Sequence, residues 1–212
     1  MLTTVSQADR VVLNNISWEQ FENLLAIFSE KSGVRIAYDQ GLLEIITPLP
    51  EHEYYKQVIS TAIEDIAEVL EKNYECYGST TWKDKIQSVG VEPDNCFYFQ
   101  NEARVRGKLT FDLNTDPPPD LVLEIDLTSK SLNHFPIYGR IGVPEIWTYD
   151  QGKLTIYQLQ SNETYQVVNQ SSVFPEIPIL ELPNVIAQYQ NQGRRSMRQG
   201  IRNWVKQMIM RN

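Results

Sequence analysis

Cysteine and long apolar runs are both scarce in this chain. The 212 residues include two cysteines, Cys76 and Cys96, which are too few and too widely spaced for a zinc cluster of four soft ligands. We expect both to be buried free thiols. No run approaches the roughly 20 apolar residues that a membrane helix needs, and residues 1–14 lack the apolar segment of a signal peptide. These absences predict a soluble, unprocessed, cytoplasmic protein with no membrane partner.

Positive charge is also in short supply. The chain has 19 Lys and Arg against 27 Asp and Glu and a net charge of −8, which argues against a protein that coats nucleic acid nonspecifically. The last twenty residues differ, because they contain no acid and six bases: Arg194, Arg195, Arg198, Arg202, Lys206 and Arg211. Any contact with a polyanion is therefore expected to be local.

The remaining composition, with 42% hydrophobic and 22% charged residues, is that of an ordinary globular protein and excludes disorder and disulfide scaffolds. A chain of this length removes roughly 70% of its unfolded surface on folding, so it needs no structural metal. We expect a single domain over residues 1–192, with an N-terminal helix and hairpin over 15–47 and a core over 48–170. A basic amphipathic helix follows over 193–212.

Periodicity and turn residues predict the order of helices and strands. Ser17 and Gln20 have the spacing of a helix capping box, and residues 39–41 supply the turn of a hairpin between strands at 34–38 and 42–46. Apolar residues recur every three or four positions over 51–72, which predicts a long helix. Further strands are predicted over 74–82, 95–100, 109–113, 121–127, 145–149, 153–159 and 164–169, with a polar loop through 83–90 and helices from 131 or 133 to 142, over 185–191 and over 194–210.

The most informative segment is the apolar strand over residues 121–127, because it carries acids. Side chains alternate along a strand, so Leu121, Leu123 and Ile125 are expected on one face, whereas the opposite face holds Asp120, Val122, Glu124 and Asp126. Neighbouring carboxylates on a covered sheet repel each other and lose hydration. A hard divalent ion such as Mg²⁺ resolves both costs.

A second acid, Asp94, precedes the strand over 95–100. If that strand is the neighbour of 121–127, Asp94 and Glu124 converge on one ion. The alternative is structural: Asp94 and Asp120 are turn residues, and Glu124 pairs with a buried Arg or Lys. The residues alone leave both interpretations open.

The segments EPDNCFYFQN, PPPDLVLEIDLTSKSL and FPIYGRIGVPEIWTYD resemble the restriction endonuclease family of Uma type in the PD-(D/E)XK nuclease superfamily, over about residues 47–157. The resemblance implies a mixed α/β (α+β) fold with a restriction-endonuclease-like αβββαβ core, in which helices flank a mixed central sheet. It also implies phosphodiester hydrolysis with Mg²⁺ or Mn²⁺, and metal-binding acids that fall here on Asp94 and Glu124.

The chain departs from the superfamily pattern at the third motif, where Asp126 stands in place of a lysine. Asp126 is a candidate to hold a second ion or to orient its neighbour. The resemblance implies a basic residue from the following helix, for which Lys130 and His134 are the candidates. It also implies a further acid from the long helix, for which Glu53 is the candidate. His52 shares a helix face with Tyr55 and is interpreted as a core or edge histidine.

Two groups of basic residues are candidates for contacts with nucleic acid. Lys83 and Lys85 lie in the loop before Asp94. Arg194, Arg198, Arg202 and Lys206 recur every four residues and form a ridge beside the apolar face of the last helix. Three uses of that helix compete: contact with DNA phosphates, docking on the acidic body of this or another subunit, and attachment to a membrane surface. The acidity of the rest of the chain favours docking.

The sequence therefore predicts an endonuclease that depends on Mg²⁺ or Mn²⁺ and acts on nucleic acid, with DNA as the expected substrate and a homodimer as a possible assembly. The alternative is a catalytically inactive protein of the same fold that acts as a binding or assembly module. A third interpretation, a dimeric scaffold, places aromatic residues at an interface, but we expect those residues to be core: Trp147, Tyr149, Tyr157 and Tyr165.

Overall fold

The computed structural model describes residues 9–29, 33–126 and 132–211. Within these ranges the chain forms two β-sheets and six α-helices. The strands are β1 (Asp9–Leu13), β2 (Arg35–Asp39), β3 (Leu42–Thr47), β4 (Glu75–Cys76), β5 (Trp82–Asp84), β6 (Val89–Val91), β7 (Asn95–Tyr98), β8 (Leu121–Ile125), β9 (Glu145–Asp150), β10 (Lys153–Leu159) and β11 (Tyr165–Val168). The helices are α1 (Trp18–Ser29), α2 (Pro50–Val69), α3 (Glu102–Val105), α4 (Phe135–Ile141), α5 (Leu182–Tyr189) and α6 (Gly193–Arg211).

Local signals explain where several elements begin and end. Ser17 and Gln20 form the expected capping box, with Gln20 N donating to Ser17 Oγ (3.2 Å) and Ser17 N to Gln20 Oε1 (2.8 Å). The turn between β2 and β3 has positive φ at Gln40 and Gly41, which suits a tight hairpin. Helix α4 ends at Gly142 in the left-handed conformation, as a C-terminal glycine cap does.

The six-stranded sheet contains the predicted core. Its order is β11-β10-β9-β8-β7-β4, and β8 and β9 are parallel while the other neighbours are antiparallel. The elements α2, β4, β7, β8, α4 and β9 occur along the chain in the αβββαβ order, with β5, β6 and α3 inserted among them. The predicted α/β class and mixed central sheet are thus confirmed.

The second sheet was not predicted as such. It has five strands in the order β1-β3-β2-β6-β5, and all of its pairs are antiparallel. The polar loop predicted through 83–90 is confined to the turn at 85–88, because the residues on either side belong to β5 and β6, which form a hairpin. The single strand predicted over 74–82 is also wrong, since β4 and β5 belong to different sheets. No strand forms over 109–113, where the Leu109 side chain is 93% exposed.

Three apolar clusters lie between the layers of helices and sheets. The first lies between one face of the six-stranded sheet and helices α2, α5 and α6. The second lies between the other face, helix α4 and the inner face of the five-stranded sheet. The third lies beneath α1 on the outer face of the five-stranded sheet. The four aromatic residues considered for a dimer interface lie in the core, as expected. Trp147 and Tyr149 are buried, and Tyr157 and Tyr165 are half-buried and pack against the second cluster.

Both cysteines are free thiols, as predicted. Cys96 is buried, and its burial raises the pKa of its thiol to about 12. Cys76 is half-buried rather than buried, so the expectation of two buried thiols holds for Cys96 alone.

Helix α4 packs unusually close to the turn after β10. A Cβ added to Gly139 would lie 2.1 Å from the backbone oxygen of Glu163. Only a residue without a side chain fits there, so the glycine sets the distance between this helix and the sheet. Because Tyr138 is its neighbour in the chain, the same contact fixes where the Tyr138 side chain enters the gap between the two sheets.

Candidate active site

Asp94 and Glu124 lie side by side at the end of two neighbouring strands. Asn95, the first residue of β7, pairs with Leu123 of the antiparallel strand β8. The same register places Asp94, just before β7, opposite Glu124. Strand alternation directs both side chains to the face of Val122, toward the second cluster. Asp94 is 4% exposed and Glu124 is 5% exposed. The condition under which Asp94 and Glu124 were expected to converge, that their two strands are neighbours, is met.

Asp94 is held by two groups at the same oxygen. Its Oδ2 accepts a hydrogen bond from the backbone N–H of Ile125 (2.6 Å) and lies 3.0 Å from Nε2 of His52. His52 comes from the first turn of α2, whose Pro50 suits the start of a helix. The interpretation of His52 as an edge histidine therefore missed its contact with the acidic pair. The only indication in the sequence was the candidate Glu53, which lies next to His52 in the first turn of the same helix.

Glu124 is held from helix α4. Its Oε1 accepts a hydrogen bond from the Tyr138 hydroxyl (2.6 Å) and lies 3.1 Å from Nδ1 of His134. Burial and the Glu124 carboxylate raise the pKa of Tyr138 well above its usual range, so the hydroxyl keeps its proton and donates. His134 was predicted as a site residue from the sequence, whereas Tyr138 was not. Tyr138 follows His134 by four residues, about one turn of a helix, and this spacing could have identified it because it places both side chains on one face.

The other acids of this region have different surroundings. Asp120 accepts hydrogen bonds from the backbone N–H groups of Phe99 and Asn101 (2.8 and 2.9 Å), so it stabilises a turn, as the structural alternative proposed. Glu53 is 48% exposed and lies 3.5 Å from both Arg35 and Lys56. Asp126 follows β8, and its backbone N–H donates to Tyr149 (2.7 Å).

Lys130, the other candidate base, lies outside the described residues. In the part of the chain that the structure describes, no three His, Cys, Asp or Glu side chains are grouped as ligands of one metal ion. The structure therefore shows a pair of carboxylates, Asp94 and Glu124. Catalytic or metal-binding roles for Asp126, Lys130, His134 and Glu53 stay predictions.

The donor chemistry of this pair suits a hard cation. Both carboxylates supply oxygen, which Mg²⁺ and Mn²⁺ prefer, and Mg²⁺ is commonly held by one or two carboxylates together with waters. The described hydrogen bonds to Asp94 all use Oδ2. Two buried carboxylates on adjacent strands also repel each other, and a cation between them removes that repulsion.

The loop lysines lie on the five-stranded sheet. Lys83 belongs to β5, and its Nζ lies 2.8 Å from Oε1 of Glu22, a contact that lowers the pKa of Glu22. Lys85 is exposed in the turn after β5. Contact of either lysine with nucleic acid stays a prediction.

The basic C-terminal helix is docked on the acidic side of α2. The guanidinium of Arg198 binds Asp65 through two hydrogen bonds (2.9 and 3.0 Å), and Arg202 bridges Asp65 (2.6 Å) and Glu68 (2.9 Å). Arg194 lies over the ring of Tyr54, 4.8 Å from its centroid. The apolar face of α6 is buried in the first cluster through Met197, Ile201, Trp204 and Val205. These contacts favour docking within the subunit over membrane attachment. A contact of Arg194, Arg198 or Arg202 with DNA stays a prediction.

We expect Arg198→Ala to lower the free energy of unfolding by about 1–2 kcal/mol, because Asp65 is fully buried and would keep one guanidinium instead of two. Urea denaturation measures the loss. Arg195→Ala, an exposed arginine of the same helix, is the control and should change stability by no more than about 0.5 kcal/mol. Equal effects of the two substitutions would contradict a specific role for the Asp65 contact.

The αβββαβ order and the two acids on its neighbouring strands define a protein of the restriction-endonuclease-like class. Residues 18–190 match the model of the Uma2 family, described as "Putative restriction endonuclease". The chain belongs to this family. The match is longer than the 47–157 over which the resemblance was seen.

Comparison with solved structures finds one described as a "putative nuclease belonging to DUF820 from Anabaena variabilis ATCC 29413". It is similar to this chain with a TM-score of 0.44 and 15% sequence identity, over 80% of this chain and 90% of that chain. A search of curated proteins found no match. Among the described residues, no helix combines the length and apolar character needed to cross a bilayer.

Proposed function

We propose that this protein is an endonuclease that hydrolyses phosphodiester bonds of nucleic acid, with DNA as its substrate, and that it depends on Mg²⁺ or Mn²⁺. The observation that carries the proposal is the pair Asp94 and Glu124, nearly fully buried and directly opposed on adjacent strands. Clustered acids in an apolar layer lower stability unless something occupies the space between them. A cation bound between the two carboxylates for hydrolysis of nucleic acid would remove this cost.

In this proposal the chain's own residues hold and orient the reacting groups. Asp94 and Glu124 would hold the cation, and the cation would act as a Lewis acid that activates water and offsets the charge that develops at phosphorus. His52 and the N–H of Ile125 fix Asp94, and Tyr138 and His134 fix Glu124. Water oxygen bonds to phosphorus as the opposite P–O ester bond breaks; the attacking water gives up one proton to solvent, and the leaving oxygen takes up one proton from solvent. Fixed ligands keep the attack in line.

The test is calorimetric titration of Mg²⁺, and separately Mn²⁺, into the purified protein and into Glu124→Ala. We expect binding to the wild type and its loss in the variant. Glu181→Gln, which removes an exposed carboxylate on the far side of the six-stranded sheet, is the control for a general loss of negative charge and should bind as the wild type does. Binding that survives in Glu124→Ala would overturn the metal site.

A second function, an inactive nuclease fold that binds or assembles without cleaving, is favoured by one observation. Asp126 occupies the position of the third-motif lysine, and acidic side chains cannot position an anionic nucleophile as a lysine does. Binding of a labelled DNA duplex without cleavage in Mg²⁺ or Mn²⁺ would support it.

A homodimer and a cytoplasmic location also stay predictions.

A further inference from the structure

A third buried acid, Glu44, faces the candidate active site from the other sheet. Glu44 lies in β3, where it pairs with Ala37 of β2, and Ala37 belongs to the cluster between the two sheets. Directly opposed residues share a face, so the Glu44 side chain enters the same gap as Glu124. Its neighbours Leu43 and Ile45 point to the opposite face, beneath α1. Glu44 is 1% exposed.

Three residues, one in β1 and two in the segment before α4, supply the described contacts of Glu44. Its Oε1 lies 3.2 Å from Nε of Arg10 in β1 and accepts a hydrogen bond from the backbone N–H of Leu132 (3.3 Å). Its Oε2 lies 3.5 Å from Nε2 of His134. The carboxylate is therefore held at one oxygen by the strand beside it and by the segment before α4, while the other oxygen faces the histidine.

His134 connects this acid to the proposed metal ligand. Its Nε2 faces Glu44 and its Nδ1 faces Glu124 at 3.1 Å, so one imidazole spans the gap between the two sheets. A ring with an oxygen at each nitrogen is fixed in both position and tilt. A partner at the far nitrogen commonly orients a histidine that acts at a metal site. Here that partner comes from the N-terminal sheet, outside the αβββαβ core.

We propose that Glu44 is a positioning residue, which sets His134 against Glu124 and makes the N-terminal sheet a working part of the active site. This inference rests on the proposed nuclease function. Arg10 and Leu132 N–H hold the carboxylate where the ring needs it. The described contact of Glu44 toward Glu124 runs through His134, so we expect its effect to pass through the imidazole.

Two substitutions of similar size separate positioning from stability. Glu44→Gln keeps an oxygen beside Nε2 of His134, which lies 3.5 Å from Glu44 Oε2 in the wild type, and Glu44→Leu removes it. We expect Glu44→Leu to lower kcat for Mg²⁺-dependent cleavage by about 10- to 100-fold with KM within twofold, whereas Glu44→Gln stays within about fivefold of the wild type. Glu145→Gln, a buried carboxylate on the other face of the six-stranded sheet, controls for lost stability and should keep its kcat. Equal kcat in Glu44→Leu and the wild type would overturn the proposal.

The second readout does not depend on cleavage. The chain has two histidines, so imidazole NMR signals of a ¹⁵N-labelled sample can be assigned with the single variant His52→Gln. We expect Glu44→Leu to shift the His134 ring signals and to speed exchange of its Nε2 proton with water, and to leave the His52 signals in place. An unchanged His134 signal would overturn the proposal whatever the cleavage assay shows. A shifted signal in a protein that never cleaves would uphold the contact and overturn the nuclease function.

If Glu44→Leu does not fold, the double variant Arg10→Met with Glu44→Leu takes its place. Removing one member of a buried ion pair leaves an uncompensated charge, but removing both together is often nearly neutral. The double variant lacks the acceptor for His134 just as the single variant does, so the same kcat and NMR results are expected from it.

Discussion

Alanine at either opposed carboxylate should abolish cleavage. We expect Asp94→Ala and Glu124→Ala each to lower kcat/KM for Mg²⁺-dependent cleavage of DNA by at least about a thousandfold, which corresponds to roughly 4 kcal/mol of lost transition-state stabilisation. The effect is large because each acid is half of the pair that holds the cation. The measurement is the initial rate of cleavage of a supercoiled plasmid across a range of Mg²⁺ concentrations.

The fold should survive these substitutions. Asp94 and Glu124 lie opposite each other at one edge of the β7–β8 pair, and removal of either relieves the repulsion between two buried acids, which offsets the cost of leaving the donors around it without an acceptor. Circular dichroism and the melting temperature of each variant check this point. Glu181→Ala should cleave at the wild-type rate. If Glu124→Ala folds and retains more than a tenth of wild-type cleavage, Glu124 is not part of the active site.

The elements that were predicted correctly depend on neighbours in the chain. The capping box of Ser17 and Gln20 and the positive φ at Gln40 and Gly41 are set by residues within three positions of each other. The β5–β6 hairpin has a local signal too, because Asp84 Oδ1 accepts hydrogen bonds from the N–H groups of Ile86 and Gln87. That signal resembles an ordinary polar loop, and its strands are only three residues long. The pairing of β6 with β2 joins this hairpin to the five-stranded sheet, and β5 pairs with β6 at its edge.

The candidate site also has one part that local sequence predicts and another that depends on tertiary packing. Alternation along β8 places Glu124 on one face, and this follows from sequence alone. The approach of Asp94 could be stated only as a condition, because it requires β7 and β8 to be neighbours. The contacts of His52 and Glu44 could not be predicted, since they require α2 and the five-stranded sheet to pack at particular places against the core. Contacts of this kind are set by tertiary packing, which a single sequence does not display.

Another buried acid makes its largest contribution to stability rather than to chemistry. Glu145 begins β9 and is fully buried. Its Oε1 accepts from the Trp147 indole N–H and the Ser171 hydroxyl (both 2.6 Å), and its Oε2 accepts from the backbone N–H (2.7 Å) and the hydroxyl (2.5 Å) of Ser172. Three of these four neutral donors belong to Ser171 and Ser172, so they tie the segment after β11 to the sheet. The carboxylate is thus a structural anchor for the connection that leads to α5.

We expect Glu145→Ala to lower the free energy of unfolding by about 4 kcal/mol. The indole N–H and the Ser172 N–H would stay buried without an acceptor, at a cost of roughly 1–3 kcal/mol each, and the lost side chain leaves a cavity. Glu145→Gln should lose about half as much, because its amide oxygen still accepts from one pair of donors while its NH₂ group faces the other. Urea denaturation followed by tryptophan fluorescence measures both losses.

The control for this prediction is Asp150→Ala, which removes an exposed acid from the other end of the same strand and should change stability by no more than about 0.5 kcal/mol. A Glu145→Ala protein as stable as Asp150→Ala would mean that water replaces the carboxylate as acceptor, and that the segment after β11 is not held by this residue. A large loss in Glu145→Ala with an intermediate loss in Glu145→Gln would instead assign the stability to the acceptor oxygens. The two buried acids would then differ in kind, since removal of Glu124 costs activity and removal of Glu145 costs stability.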